Sequence, residues 1–308
     1  MNNVLVTGAT GFIGRQLIKE LIRNNIQVTA VVRSQKKSLK LFQEINNLNL
    51  VCCEMSKIYK LEEYVKNMPG YDTLYHLAWE GTSGDMRADY SCQCNNVKYT
   101  LDLINVAYKL GVKRFIGAGT LAEYDNLAYL PLDGANPNAV AMYAAAKISV
   151  HYMSKIECNR LGMEHVWGIF SNIYGVGNTT NNFVNFASRL MLAGKRASFT
   201  LGEQNYDFVY ISDFIKGLFL LGEKGKNNCE YFVGSGAPRK LKEYIYDIRN
   251  AIDSKIEVHL GEIPYHGVSL DIEKLSTEKL ERDTGYQAEI DFGTGIHKTI
   301  SWLRQQNN

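Results

Sequence analysis

Tyr143 and Lys147 stand four residues apart in the alanine-rich run Tyr143-Ala144-Ala145-Ala146-Lys147, a helix-favouring stretch whose i,i+4 spacing puts a phenol and an ammonium on one face. A tyrosine with its ordinary pKa of about 10 is a poor base near neutrality. Lowering it by ~3 units takes ~4 kcal/mol, about what one cation ~4 Å away supplies at an effective dielectric of ~20. Among 19 tyrosines, about one such pair is expected by accident, so this one gains meaning from its company. Thr120 follows a strand expected over 114–116, where an open parallel sheet presents its crevice. Hydroxyl, phenol and ammonium together suit a site in which a hydride moves at carbon while a proton moves at the attached oxygen. Thr120 would orient that oxygen, Tyr143 exchange the proton, and Lys147 charge the phenol and hold ribose hydroxyls.

A second constellation supplies the hydride carrier. Val4-Leu5-Val6 enters the turn Thr7-Gly8-Ala9-Thr10-Gly11-Phe12-Ile13-Gly14, after which Leu17, Ile18, Leu21 and Ile22 recur at helical spacing. Gly8, Gly11 and Gly14 let the backbone approach a pyrophosphate at a helix N-terminus, with Thr7 and Thr10 adding hydroxyls. The alternative is an ordinary tight turn. At the end of the next strand the chain reads Val32-Arg33-Ser34-Gln35-Lys36-Lys37, with no acid to accept ribose hydroxyls. Arg33 and Ser34 would clamp a 2′-phosphate, favouring NADP(H), with NAD(H) possible; the alternative is a solvated basic loop.

These residues need a frame. Short β-rich runs alternate with helical stretches: strands at 27–32, 48–52, 73–77 and 165–170, helices around 39–45 and 95–110. That order predicts an α/β, doubly wound parallel Rossmann sheet with a smaller mixed α/β substrate-binding region, mostly C-terminal. The expected division is 1–171, with a return segment at about 206–235, for the dinucleotide domain, and 172–205 plus 236–308 for the substrate region. Residues 172–178 read as a glycine-rich loop. Ser212 reads as the cap of a helix to about 221, followed by a helix over 241–252, a strand near 256–260 and a last helix over 295–304.

Composition narrows the classes. In 308 residues, 34 Lys+Arg face 32 Asp+Glu, a formal charge of +2 that argues against a nucleic-acid partner. No apolar run approaches a membrane span, and the N-terminus does not read as a secretory signal, so a cytoplasmic protein is expected. The six cysteines lack zinc-ribbon or Cys-x-x-Cys spacing and read as reduced structural thiols. His76, within an apolar strand, reads as a core histidine, and no metal site is expected. His151, one turn beyond Lys147, reads as structural or interfacial.

Taken together, TGATGFIG at 7–14, HLA at 76–78, NNVKYT at 95–100, Thr120, YAAAK at 143–147, SNIYGVG at 171–177 and DFVYISD at 207–213 resemble the extended short-chain dehydrogenases/reductases, the nucleotide-sugar epimerase/dehydratase/reductase superfamily. The likeness spans nearly the whole chain. It implies Tyr143 as acid/base, Lys147 as ribose ligand and Thr120 at the substrate hydroxyl. Gly8, Thr10, Gly11, Phe12, Ile13, Gly14, Leu77 and Ala78 would line the cofactor, with Glu54 and Met55 at the adenine and Asn96 beside the site. Trp79 and Glu80 would abut nicotinamide and sugar, or Trp79 would cap the core. Asn172 would approach a nucleotide-diphosphate sugar; Tyr174, Asn178, Asn182, Phe183, Arg189 and Arg239 are further places for diphosphate or base contacts. Helices at 95–110 and 142–161 carry apolar stripes that would meet their mates in a homodimer, or pack on the sheet.

The resemblance also separates reactions. Dehydratases of this kind carry Thr-Asp-Glu, whereas this chain has Thr120-Leu121-Ala122, with Glu123 expected to point elsewhere. Gly119-Thr120-Leu121-Ala122-Glu123-Tyr124, followed by Pro131-Leu132, looks like the run of 4-keto-6-deoxyhexose reductases. Tyr206 stands where many epimerases carry arginine. Reduction of a nucleotide-activated 4-keto-6-deoxyhexose by NADPH is therefore expected, with a 4-epimerase retaining NAD(P) and a non-catalytic NADP sensor as the other readings.

Overall fold

The computed structural model describes residues 1–42, 47–66, 68, 70–131, 133, 136–267 and 269–306. Its first elements are β1 (Asn3–Thr7), α1 (Phe12–Arg23), β2 (Gln27–Val32), α2 (Gln35–Leu41), β3 (Leu48–Cys52), α3 (Leu61–Val65) and β4 (Thr73–His76). There follow α4 (Tyr90–Lys109), β5 (Arg114–Ala118), α5 (Leu121–Tyr129), α6 (Ala141–Leu161), β6 (Glu164–Phe170), β7 (Asn172–Tyr174), α7 (Phe183–Leu192), β8 (Ala197–Phe199), β9 (Asn205–Tyr206) and β10 (Phe208–Tyr210). The chain ends with α8 (Ile211–Lys224), β11 (Cys229–Val233), β12 (Arg239–Lys240), α9 (Leu241–Ile252), β13 (Val258–Leu260), α10 (Glu278–Thr284) and α11 (Phe292–Gln306). Two compact units result, 1–169 with 215–231 and 170–214 with 232–308.

In the first unit the described strands form a seven-stranded sheet in the order β11-β6-β5-β4-β1-β2-β3. Every pairing from β6 to β3 is parallel. Val4, Leu5 and Val6 are wholly buried, as are Leu17, Ile18 and Leu21 of α1; a parallel strand covered on both faces needs such an unbroken apolar run. The chain runs outward from β1 through β2 to β3, then returns to β4 on the other side of β1. The crevice of this sheet therefore opens beyond the C-terminal ends of β1 and β4, between Gly8 and Ala78.

In the second unit β10 pairs with β7, β13 with β8 and β12 with β9, the last antiparallel. Phe208 meets Tyr244 edge-on at 4.8 Å, and Tyr244 meets Phe292 at 4.7 Å. Asp207, wholly buried, accepts from the hydroxyls of Ser171 and Ser235 and from the Ser235 N–H at 3.0 Å.

Several element expectations are corrected. α2 starts and stops four residues earlier than expected, and Ile45 lies outside the described residues, as does Leu132. α4 begins at Tyr90 because Asp89 caps it, accepting from Ser91 N at 2.8 Å and Cys92 N at 3.1 Å. β5 runs on to Ala118, and the stretch expected as loop opens with β7. Ser212 lies inside α8, not at its cap; its neighbour Asp213 instead accepts from Glu289 N at 2.9 Å and Ile290 N at 2.7 Å. Among the described residues no helix is long and apolar enough to cross a membrane.

Candidate active site

The glycine turn is closed by close backbone approach. Gly8 has φ +70°, and a Cβ there would lie 2.5 Å from the carbonyl carbon of Leu77; a Cβ on Gly14 would lie 2.3 Å from the Gly8 oxygen. Gly11 donates to that same oxygen at 3.1 Å and starts α1 with no side-chain cap and no acid in the first turn. Free amide donors at an uncapped, acid-free N-terminus, in a cradle that a Cβ would fill, fit a dinucleotide pyrophosphate. Thr10, Phe12 and Ile13 are half-buried along it. Thr7 is a correction: its hydroxyl is committed to His76 Nδ1 at 2.7 Å and lies wholly buried in the core. His76 also meets the Thr100 hydroxyl at 2.9 Å, and burial, then Lys147, pull its pKa down to about 3, as befits a neutral core histidine.

Arg33 and Ser34 follow β2, and Glu54 and Met55 follow β3, so all four sit at the same sheet edge as the glycine turn. Arg33 and Glu54 are exposed. Leu77 N donates to the Thr7 carbonyl at 3.2 Å, and Ala78 N to the Thr7 hydroxyl at 3.4 Å, which tucks the end of β4 against β1.

Thr120, Tyr143 and Lys147 do come together. Thr120 caps α5 in a capping box: its hydroxyl accepts from Ala122 N at 3.3 Å, while the Glu123 carboxylate accepts from Thr120 N at 2.9 Å. That hydroxyl lies near enough to the Tyr143 phenol to favour its anion, and both Tyr143 and Lys147 are buried. Lys147 comes near the Tyr143 ring. Its ammonium lies 5.9 Å from the Tyr143 ring centre, where it donates to the Ala118 carbonyl at 2.9 Å and sits 3.6 Å over the Trp79 ring. Burial pulls the Lys147 pKa down to about 7, with Glu123 opposing. The Tyr143 pKa is raised, by burial first; the nearby Thr120 hydroxyl and Arg87 work against that, and Glu123 adds to it.

Sequence reasoning named Trp79, Glu80 and Asn96 but missed Gln93 and Arg87, which complete the shell around these groups. Trp79 is half-buried, neither a core plug nor free; its Nε1 donates to Gln93 Oε1 at 2.9 Å and its ring meets Tyr143 edge-on at 6.1 Å. Gln93 also donates to the carbonyls of Gly81 and Met86 at 3.0 and 2.9 Å. Asn96 clamps Glu80 from both sides, accepting from its N–H at 3.0 Å and donating to its carbonyl at 2.9 Å. Arg87 places its guanidinium 4.4 Å over the Tyr143 ring. Two buried amides three residues apart on a helix were the readable signal for this shell. Glu123 turns to His151 Nδ1 at 3.0 Å, and His151 stacks on Trp167 at 4.5 Å, giving that histidine a structural place.

In the second unit, Asn172 donates to the Asp207 carbonyl at 3.1 Å. Tyr174 is buried and donates to Phe292 O at 3.3 Å; Asn182 caps α7; Asn178 accepts from Thr180 N at 3.0 Å; Arg239 pairs with Asp247 at 2.8 Å. These four serve the internal structure of that unit, whereas Phe183 and Arg189 remain half-buried. A cavity of about 590 Å³ in this unit is lined by Phe208, Arg239, Tyr244, Asp247 and Phe292 among others.

Comparison with known proteins places this geometry. The chain is 25% identical to a CDP-abequose synthase of Salmonella typhimurium, covering 97% of this chain and 98% of the relative. It is 23% identical to a dTDP-4-dehydro-6-deoxyglucose reductase of Escherichia coli, covering 98% of each. The crystal structure of a UDP-glucose 4-epimerase from Thermotoga maritima superposes with a TM-score of 0.79 at 21% identity, covering 99% of this chain and all of that one, the full 100%. The family model described as the NAD dependent epimerase/dehydratase family matches residues 4–234. With a glycine cradle at the end of β1 and a Thr-Tyr-Lys set at the end of β5, the chain belongs to the NAD dependent epimerase/dehydratase family.

Proposed function

We propose that this chain reduces the 4-keto group of a nucleotide-activated 6-deoxyhexose with NADPH. The observation that carries the reading is the gathering of Thr120, buried Tyr143 and buried Lys147 at the sheet end that the glycine turn shares. Gly8, Thr10, Gly11, Phe12, Ile13 and Gly14 would hold the pyrophosphate, Arg33 and Ser34 the 2′-phosphate, and Glu54 and Met55 the adenine side. Leu77, Ala78, Trp79 and Asn96 would wall the nicotinamide half, and Lys147 would hold the ribose. Bound there, nicotinamide supplies the hydride. Thr120 orients the carbonyl oxygen, and the Tyr143 O–H breaks to give that oxygen its proton, leaving a phenolate. Trp79, Glu80 and Asn172 would touch the nucleotide-diphosphate sugar.

Burial of Tyr143 favours the protonated phenol, the form that reduction consumes. Glu123, tied to Thr120 N and His151, is not free to act as a dehydratase acid, and Leu121 and Ala122 bring no carboxylate. The similarity to a dTDP-4-dehydro-6-deoxyglucose reductase supports the same reading. The second reading, a 4-epimerase, draws on the superposition with a UDP-glucose 4-epimerase and uses the same three residues.

The test is to incubate the chain with NADPH and a panel of nucleotide 4-keto-6-deoxyhexoses while following nicotinamide absorbance. Stoichiometric oxidation is expected, reduced by about 10²- to 10⁴-fold in Tyr143→Phe. Isomerisation at constant absorbance marks an epimerase instead. NADH at equal concentration should serve less well, and Arg33→Ala should narrow that difference.

A further inference from the structure

We propose that Glu123 and His151 are positioning residues, a brace between α5 and α6 that sets the place of the Thr120 hydroxyl relative to Tyr143. The inference deepens the reading that these two groups meet the reacting oxygen, and its kinetic part rests on that reading. Thr120 stands at the head of α5, whereas Tyr143 and Lys147 belong to α6, so the set is shared between two helices. Tyr143, Lys147 and His151 recur at four-residue intervals, which puts the histidine on the same side of α6, one turn beyond the lysine. From there its Nδ1 meets Glu123 Oε2 at 3.0 Å, while Glu123 Oε1 accepts from Thr120 N at 2.9 Å. One carboxylate thus joins the backbone of Thr120 to the helix of Tyr143.

The arrangement goes beyond what a helix cap needs. Capping Thr120 N occupies one carboxylate oxygen; the Glu123 side chain is 3% exposed, and a buried second oxygen needs a donor of its own. An ionised carboxylate has no proton to give, so Nδ1 donates. Gly119 admits the carboxylate beneath the strand end: a Cβ there would lie 2.7 Å from Glu123 Oε1 and 2.4 Å from Trp167 Nε1. His151 is itself fixed, its ring stacked 4.5 Å from that of Trp167 with the planes 7° apart. The Thr120 hydroxyl oxygen accepts from Ala122 N at 3.3 Å, which leaves its O–H to donate outside the helix.

The neighbouring charges show why a donor is required. Tyr124, the next residue of α5, donates to Glu230 of β11, whose other oxygen lies 3.7 Å from the same Nδ1. Without that donor two carboxylates would face one gap, and their repulsion favours taking up a proton or swinging apart. Either outcome loosens the charge-assisted bond to Thr120 N.

The test separates the donor from the ring. His151→Phe keeps a ring against Trp167 and removes the donor; His151→Asn gives up the ring and keeps a donor nitrogen on the same carbon that bears Nδ1. Protein labelled with 15N-threonine is followed by NMR without substrate, the Thr120 amide being assigned by its absence from Thr120→Ser. Its proton is expected to move upfield in His151→Phe and to hold its wild-type position in His151→Asn. The other threonine amides, unmoved, report that the fold is kept; His151→Leu takes the place of His151→Phe if that variant does not fold. With a sugar that the wild type reduces, kcat should fall about tenfold in His151→Phe at unchanged KM, and recover in His151→Asn. A Thr120 amide that stays in place when the donor is lost overturns the brace, as does a kcat that is untouched or that follows the ring instead of the donor. Where the wild type reduces none of the sugar panel, the proposed reaction falls and the amide alone decides the brace.

Discussion

Lys147 shows how a residue type that the sequence displays openly can end in a setting it does not display. Four residues beyond Tyr143, it reads from helical spacing alone as the phenol's neighbour; the structure adds that its ammonium donates to the Ala118 carbonyl and lies over the Trp79 face. Because its pKa in the folded protein, about 7, lies below the ordinary lysine value of about 10.4, the unfolded chain binds more protons between those limits. Stability therefore rises with pH across that window. Replacing the charge by Lys147→Met removes the dependence, so the wild type should gain on the variant by up to about 1 kcal/mol per pH unit from pH ~7 to ~10. Urea unfolding of both proteins at three pH values across the window measures this; a constant difference would mean that the ammonium is not held in an apolar setting. Arg87 is the converse case, an arginine in a polar loop with no motif to mark it, brought over the Tyr143 ring by two left-handed glycines and the side chain of Gln93.

At the scale of elements, the glycine turn was legible because its demands are local. Gly14→Ala would drive a Cβ to 2.3 Å from the Gly8 oxygen and 2.8 Å from Ala9 Cα, both backbone atoms that the turn cannot release. The substitution should cost about 1–3 kcal/mol and weaken dinucleotide binding. Gly11→Ala, whose Cβ meets the same oxygen at 3.2 Å, should cost less. Thermal or urea unfolding, with the fluorescence of reduced nicotinamide dinucleotide for binding, orders the two; equal losses from Gly11→Ala and Gly14→Ala would count against the close backbone approach. Helix starts were less legible. The apolar stripe from residue 95 onward hid the first turn of α4, which is set by Asp89 and carries the buried Gln93 at the loop-facing side. Ser212 was misplaced because a serine before an apolar run has the composition of a cap, while the backbone already enters the helix at Ile211.

For the whole molecule, the doubly wound parallel sheet and its crevice followed from alternating strands and helices, since right-handed crossovers leave few other arrangements, while the strand order came from the structure. The division of the chain depends on long-range packing: residues 215–231 return to the first unit, and 170–214 join the second. The outer faces of α4 and α6 bear on assembly. Tyr152 is 69% exposed, Ile156 one turn on is 52% exposed, and Tyr108 of α4 is 49% exposed. We propose that a second copy of this chain covers them. Light scattering on the eluting protein should give twice the chain mass, with Tyr152→Glu and Ile156→Glu together shifting it to the mass of one chain; a wild type that elutes as one chain would refute the pairing.

What the amino-acid order determined by itself was whatever depends on neighbours in the chain: the glycine cradle, the Tyr-x-x-x-Lys face, the alternation that makes the sheet, and the lack of carboxylates at Leu121 and Ala122. Only the tertiary structure decided that Arg87 stands over the Tyr143 ring, that Thr7 belongs to the core histidine, and that Gln93 and Asn96 hold the loop bearing Trp79 and Arg87. Those outcomes turn on side chains meeting across gaps of many residues, where a few ångströms separate one partner from another and no local periodicity records the choice.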